Sequence, residues 1–339
     1  MWSRFRGYLA LAIVVLLWVA SSELSHTVFL GLNFDHPTFL TAVSTSLFAV
    51  YLVPHVVSTC GVAPRDYARI NPSSKSVWRK TWSHALILGP IWFAMNWTFN
   101  QSLSITSVTS STVIASTSSV FTMLLSWVFL KQPWSWINLF AVAVTILGSA
   151  LVAIPDAGHS EDGQESSVWG DLLSLVSAAL YGLFSVALKK RVSGSDQVPL
   201  SMLYGLIGGL SLVVFLPIFA IYLAVKFNEF QFSGKVLALL FVNGMLGVSS
   251  DFVWAHAVLW TSPLTATIGL SLTIPVAAIC DWLFFHETFS VFYILGAVAI
   301  CSGFLASNWN RPSESSEHSE EELKTDGLTF SEPSPSPSI

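Results

Sequence analysis

Charge is scarce in this 339-residue sequence: only 10% of its residues are Asp, Glu, Lys or Arg, against roughly 25% in a soluble domain. With 53% hydrophobic residues and a mean hydropathy of +0.64, that shortage excludes a water-solvated globule and leaves the bilayer as solvent. Cysteine is scarce too. Cys60, Cys280 and Cys301 lie in or beside apolar runs with no CxxC spacing, so they read as small hydrophobes and no disulfide framework or metal site follows. No HExxH, GxSxG or paired-aspartate motif occurs. The expectation is therefore a non-enzyme with no cofactor and no bound metal, and nothing suggests a nucleic-acid partner.

Long apolar runs are what the sequence does have. A span needs roughly 20 apolar residues at about 1.5 Å each, and that rule predicts spans at 7–30, 37–59, 82–104, 108–130, 134–154, 169–188, 199–225, 236–259, 263–285 and 289–308. The fourth is the most polar, carrying a Ser/Thr run from Thr109 to Thr122. The first holds Glu23, is long for a secretory signal and lacks a small-residue cleavage site, so it is expected to be retained.

An internal repeat organises these spans. The stretch from Phe93 to Val152 recurs 155 positions later without a gap, setting Thr106, Thr112, Ser116, Trp127, Ser135 and Gly148 on Thr261, Thr267, Ser271, Trp282, Ser290 and Gly303. The same register sets Gly89 on Gly244, Asn96 on Asp251 and Gln101 on His256, and the first and sixth spans align with Trp18 on Tyr181. With ten spans and a cytosolic N-terminus, 13 of the 15 basic residues fall inside, as expected when basic loops stay cytosolic. Both termini then face the cytosol. A five-span unit is odd, so its second copy must insert upside down: Lys131 is expected inside while its mate His286 is not. Inverted copies can exchange inward-open and outward-open shapes around a central cavity.

The second copy, TIGLSLTIPVAAICDWLFFHETFSVFYILGAVAICSGFLA, with Pro275, Glu287, Gly296 and Gly303, resembles the EamA half-repeat of the drug/metabolite transporter superfamily. The first copy departs from that pattern, with Val120, Gln132 and Ala141 where Pro, Glu and Gly would stand. The run LSITSVTSSTVIASTSSVFTMLLSWVFLKQP is similar to F-type members of solute carrier family 35 and to a related fungal thiamine-repressible transporter-like protein. The resemblance covers about residues 7–308. It implies an all-α integral membrane fold of ten helices in two inverted five-helix repeats, with a cavity between the halves. The superfamily moves nucleotide sugars, sugar phosphates, amino acids, purines or drugs, and the resemblance does not name the solute.

The expected organisation is a first five-helix repeat over 1–154, an acidic non-cytosolic loop over 155–168, a second repeat over 169–308 and a disordered cytosolic tail over 309–339, rich in Ser, Glu and Pro. The expected partners are a small-molecule substrate and the lipid bilayer, with a homodimer as an open assembly. Endomembrane, Golgi or vacuole, is the preferred location, with the plasma membrane also allowed.

Site residues follow from intramembrane polarity, because a charge at mid-bilayer costs at least about 2.5–3.5 kcal/mol and persists where it faces a cavity or partner. Asp251 and His256, with repeat mates Asn96 and Gln101 and with Asn100 beside them, are expected to line the cavity. The alternative is interhelical glue, worth about 0.6 kcal/mol for each bond. Five residues apart, Asp251 and His256 are displaced by about 140° and need not share a face. Ser116 and Ser271 can contact solute or simply allow close packing. Tyr181 and Tyr204 can flank the cavity or pack. Glu23 and His26 are a coupling candidate because His titrates near neutral pH, or else a hydrated interfacial pair. Asp281 reads as interfacial or paired, and Asp171 as favoured by a helix N-terminus. No Lys or Arg lies at mid-membrane in any span. A phosphate ester would need one, so a neutral or cationic solute fits better, with Asp251 as counter-ion. The sequons at Asn96 and Asn100 fall in a predicted helix and are expected to be unused. A secondary carrier leads; a transporter-like receptor or channel, or an intramembrane enzyme using Asp251 and His256, are the other readings.

Overall fold

The computed structural model describes residues 2–32, 37–59, 75–106, 108–157, 167–193, 198–226, 234–285 and 290–309. All regular structure among them is helical: α1 Trp2–Leu32, α2 Pro37–Leu47, a 3-10 segment Phe48–Leu52, α3 Val53–Thr59, α4 Lys75–Ile105, α5 Val108–Ser116, α6 Ser118–Phe129, α7 Trp136–Ala157, α8 Val168–Val192, α9 Leu200–Lys226, α10 Gly234–Trp260, α11 Pro263–Leu270, α12 Thr273–Phe285 and α13 Val291–Trp309. The tail, most of the acidic loop, Cys60, His286 and Glu287 lie outside the described residues. Cys280 and Cys301 are free thiols.

Against ten predicted spans, six helices among the described residues are long and apolar enough to cross a membrane: Ser110–Phe129, Trp136–Ala153, Val168–Val192, Leu200–Pro217, Pro263–Cys280 and Val291–Asn308. Phe5–Ser21 and Thr41–Val56 are apolar but shorter. The helix α4 falls below that standard because its sequence includes Asn96, Asn100 and Gln101 and its first turns carry Arg79 and Lys80. The chain is thus an all-α, multi-pass membrane protein. Its outer surface agrees: Leu147, Val213, Val291, Val298 and Leu305 are all more than half exposed, an apolar face suited to lipid tails and not to water. Trp127, Trp134 and Trp136 stack edge-on in series at the α6–α7 turn, at centroid distances of 5.9 and 6.2 Å, an arrangement suited to a membrane interface.

Helix ends follow local chemistry. Ser262, extended at φ −155°, accepts from the Thr265 N–H and is followed by Pro263, so α11 starts on a capped turn. The end of α6 turns through Lys131 at φ 53°, and the N–H groups of Leu130 and Gln132 return to the Ser126 carbonyl, a left-handed C-terminal turn. Asp171 sits in the first turn of α8, and Lys189, Lys190 and Arg191 in its last, both complementary to the helix dipole.

Packing joins the two copies more than it joins each copy to itself. The most extensive helix contacts are α7 with α13, α1 with α10 and α4 with α8, and α9 lies along α2 and the 3-10 segment. The core at this seam is aromatic: Phe48, Trp92, Phe184, Tyr204 and Trp254 are all nearly inaccessible. Phe48 meets Trp92 and Tyr204 edge-on at 5.5 and 5.0 Å.

Candidate functional site

Two helix breaks build the site. The expected fourth span divides at Thr117 into α5 and α6, and the expected ninth divides at Ser271 and Leu272 into α11 and α12. These breaks occupy the same repeat register, and their hydrogen bonds match: Thr117 N–H donates to the Ile114 carbonyl at 3.0 Å, and Leu272 N–H to the Gly269 carbonyl at 3.2 Å. The local causes differ. In the first copy, Ser116, Thr117 and Ser119 turn their hydroxyls onto backbone carbonyls three residues back, which competes with the helix ladder. In the second, Pro275 has no N–H to give, and Ile274 N–H takes the Ser271 carbonyl at 3.2 Å instead.

Against these breaks opens a cavity of about 320 Å³. Its lining is paired by the repeat register: Asn96 with Asp251, Phe99 with Trp254, Thr112 with Thr267, Ser116 with Ser271, Ser118 with Thr273 and Trp18 with Tyr181 all border it. Trp92 completes an aromatic wall. Tyr181 and Trp254 lie 5.5 Å apart, inclined at 57°. The Tyr181 hydroxyl and the Trp254 Nε1 are buried and meet no hydrogen-bond partner at bonding distance. Such groups are costly to bury unpaired, and here each lies beside the other at the cavity wall. Asp251 is the one carboxylate on this lining, and no Lys, Arg or His joins it among the described residues. Trp18 is the hydrogen-bonding neighbour of its carboxyl group.

A second, smaller chamber of about 160 Å³ adjoins the first and shares Trp92, Asn96 and Asp251 with it. Its other walls are mostly hydroxyls and amides, from Ser21, Thr41, Ser44, Thr45, Asn100 and Asn243, with Gly244 and Gly247. Ser21 Oγ donates to Asn243 Oδ1 at 2.7 Å, and Asn100 Nδ2 to Thr41 Oγ1 at 2.7 Å.

Asn96, Ser116, Tyr181, Asp251 and Ser271 are therefore brought together in one cavity, and Asn100 enters the adjoining chamber. Gln101 and His256 border neither. With Asp251 turned inward, a residue five positions on is rotated about 140° away. The His256 ring packs between Phe252 and Trp260 at 4.7 and 5.1 Å, with Nδ1 2.9 Å from the Phe252 carbonyl. Glu23 and His26 belong to α1, and Asp281 to α12, but their side chains lie outside the described residues. Asp171 accepts from Thr106 and Ser110 at 2.9 and 2.7 Å, a clasp between α8 and the start of α5. Tyr204 is packed in the aromatic core away from the cavity lining. Lys189 Nζ donates to the Leu259 carbonyl and, at 3.4 Å, to that of Thr261, covering the end of α10. Among the described residues no group of His, Cys, Asp and Glu could hold a metal ion.

Sequence reasoning missed Trp18, Trp92, Phe99 and Trp254 as walls and Ser118 and Thr273 as break residues. The repeat register was the available signal, since five of these six belong to register pairs whose two members both line the cavity. The sequons are buried in function as well as in helix: Asn96 Nδ2 donates to the Trp92 carbonyl at 2.9 Å and Asn100 bonds Thr41. Endoglycosidase treatment of the protein from a glycosylating host is expected to leave its gel mobility unchanged at both positions.

Comparison with known proteins places this geometry in a family. The SLC35F family model, described as solute carrier family 35, matches residues 8–308. An uncharacterized vacuolar membrane protein of Saccharomyces cerevisiae is 30% identical over 363 residues, covering 92% of each chain. A thiamine-repressible mitochondrial transport protein of the same yeast is 26% identical, covering 89% of this chain and 91% of its own. One solved crystal structure aligns at a TM-score of 0.63 with 14% identity, covering 89% of this chain and 96% of that one, a likeness of fold alone.

Proposed function

Because the chain belongs to the F-type group of solute carrier family 35 and is a multi-pass membrane transporter, we propose that it carries a small organic monocation by alternating access between two inverted five-helix halves. One observation carries the solute class: Asp251 is the one carboxylate on an aromatic cavity lining, with no described basic side chain beside it. A charge held in an apolar site needs a partner, and an onium or ammonium group supplies one. The ring faces of Trp18, Trp92, Tyr181 and Trp254 add cation–π attraction of about 0.5–2 kcal/mol. A nucleotide sugar would bring negative charge to Asp251 and meet no Arg or Lys on the described lining.

The halves are 1–154 and 169–308, joined by an acidic loop over 155–168 and followed by a cytosolic tail over 309–339. Support for their inversion comes from equivalent contacts at the two ends. The register that sets Trp18 on Tyr181 also sets Gly7 on Gly170. A Cβ on Gly7 would collide with Thr261, and one on Gly170 with Thr106, two threonines that are themselves repeat mates. The pairs α1–α10 and α4–α8 are equivalent in the same sense. An even number of spans puts both termini on one side, and the basic loops favour the cytosol as that side, which epitope accessibility in sealed vesicles tests directly. The vacuolar and mitochondrial relatives favour an endomembrane location.

Uptake into proteoliposomes tests the solute class, with labelled choline and tetraethylammonium set against a uridine diphosphate sugar. Saturable counterflow of the cations and none of the sugar nucleotide is expected; the reverse pattern defeats the reading. Within that assay Tyr181→Phe removes one hydroxyl from the cavity wall, and if choline's own hydroxyl bonds it, worth about 0.5–1.5 kcal/mol, KM for choline should rise roughly 2- to 12-fold with the maximal rate little changed.

A further inference from the structure

The smaller polar chamber has no evident role in holding the solute, yet it ends on the same carboxylate as the solute cavity. We infer that it is the proton route to Asp251, and that the transporter exchanges one proton for one organic monocation at that residue. The inference rests on the cation-carrier reading above.

The two chambers differ in chemistry. The solute cavity is walled mainly by rings and aliphatic groups, whereas the smaller one presents Ser21, Thr41, Ser44, Thr45, Asn100 and Asn243. Ser21 bonds Asn243 and Asn100 bonds Thr41, each at 2.7 Å, so these polar walls are held in place around the space. At about 160 Å³ the chamber has room for several waters, each with the two to four polar partners that make occupancy favourable. Hydroxyls and waters in sequence pass protons, and intramembrane carboxylates at the end of such files are the usual stations of proton relays. Rings are few here: Phe48 and Trp92 are the aromatic members of its lining.

The exchange balances. With solute bound, the Asp251 carboxylate carries −1 against the solute's +1. When a proton arrives from the polar chamber it forms the O–H bond of the acid, cancels the charge, and the cation is released. In the opposite orientation an entering cation displaces that proton, which leaves by the same chamber. One positive charge always accompanies the carboxylate across the membrane, so the buried charge is never left unpaired. The titratable groups facing Asp251 from its neighbours are Tyr51 of the 3-10 segment, Tyr181 of α8 and Tyr204 of α9. From α1 and α4 come Trp18, Trp92 and Asn96, which do not titrate, and on α10 itself His256 is turned away. Among the described residues no second carboxylate and no Lys, Arg or His lines either chamber, so of these residues Asp251 is the one placed to exchange the charge.

Gly247 provides the test. It borders the polar chamber but not the solute cavity, and a Cβ built on it meets nothing within 4 Å. Gly247→Leu therefore fills the chamber without a backbone collision, and Gly247→Ala is the control. Full-length protein in proteoliposomes is assayed with labelled choline in two ways: counterflow at equal pH, and accumulation driven by an imposed pH gradient. Wild type and Gly247→Ala are expected to show both. Gly247→Leu is expected to keep counterflow and lose gradient-driven accumulation. Thr41→Val, which removes a chamber hydroxyl at constant shape, is expected to slow the driven flux alone and serves if the leucine variant does not assemble. Wild-type counterflow with no response to the pH gradient, accumulation driven by sodium instead, or an undiminished driven flux in both Gly247→Leu and Thr41→Val overturns the proton route while leaving the carrier reading intact. Absence of counterflow in wild type overturns the carrier reading itself.

Discussion

Asp251→Asn is expected to abolish net transport of organic monocations while the protein stays folded. The substitution keeps the shape of the side chain, removes its charge, and restores in the second copy the amide that the first copy carries at Asn96. Removing one partner of a buried charge pair costs about 3–5 kcal/mol, so solute binding should weaken by roughly 100-fold or more. Stability should move the other way or not at all, because an uncompensated carboxylate among Trp18, Trp92, Tyr181 and Trp254 is costly to bury and a neutral amide is not. Thermal unfolding in detergent should therefore hold or rise as counterflow disappears. Wild-type uptake by Asp251→Asn would remove the carboxylate from the mechanism. The double exchange Asn96→Asp with Asp251→Asn is the sharper form. Both positions border both chambers, so moving the carboxylate to its repeat mate is expected to return part of the flux, which a residue of purely local structural value would not do.

The seam between the copies was legible in the sequence because duplication leaves a register, and a register names pairs. Asn96 with Asp251 and Ser116 with Ser271 both reach one cavity for that reason. What the register could not convey is rotation about each helix axis. Asp251 and His256 look alike as intramembrane polar groups, yet about 140° separates them on a helix, and His256 finds a carbonyl on its own helix instead of the cavity. The helix breaks were hidden for a different reason. A Ser/Thr run and a proline look unlike in sequence, but each withdraws backbone groups from the ladder, one through side-chain competition and the other through a missing N–H, so the two copies bend at matching positions. The aromatic walls were missed because tryptophan in an apolar helix ordinarily packs or faces lipid; the Trp18 contact with the Asp251 carboxyl group and the buried Trp254 Nε1 mark the difference.

Gly148→Val and Gly296→Val are expected to prevent assembly of the helical bundle, each alone. The α7–α13 crossing is the most extensive helix contact among the described residues, and it closes on backbone: a Cβ at Gly148 would stand 2.8 Å from the Gly296 carbonyl oxygen, and one at Gly296 would stand 2.5 Å from that of Gly148. Neither oxygen belongs to a flexible side chain that could swing aside, so relief requires the helices to separate. In a membrane that separation is not opposed by water, since association there depends on close packing of small residues and not on a hydrophobic drive. Overpacking costs roughly 1–3 kcal/mol in an ordinary core, and a backbone-to-backbone crossing that cannot relax should lie at or above the upper end. Fluorescence-detected size exclusion after mild heating should show the loss, with Gly89→Ala as the tolerated comparison because its added Cβ meets only side chains, at 3.6 Å or more. A monodisperse Gly148→Val protein with wild-type thermal behaviour would mean that the two halves are held together elsewhere. Loss of assembly would instead show that this crossing, which joins α7 of one copy to its counterpart α13 in the other, holds the bundle together.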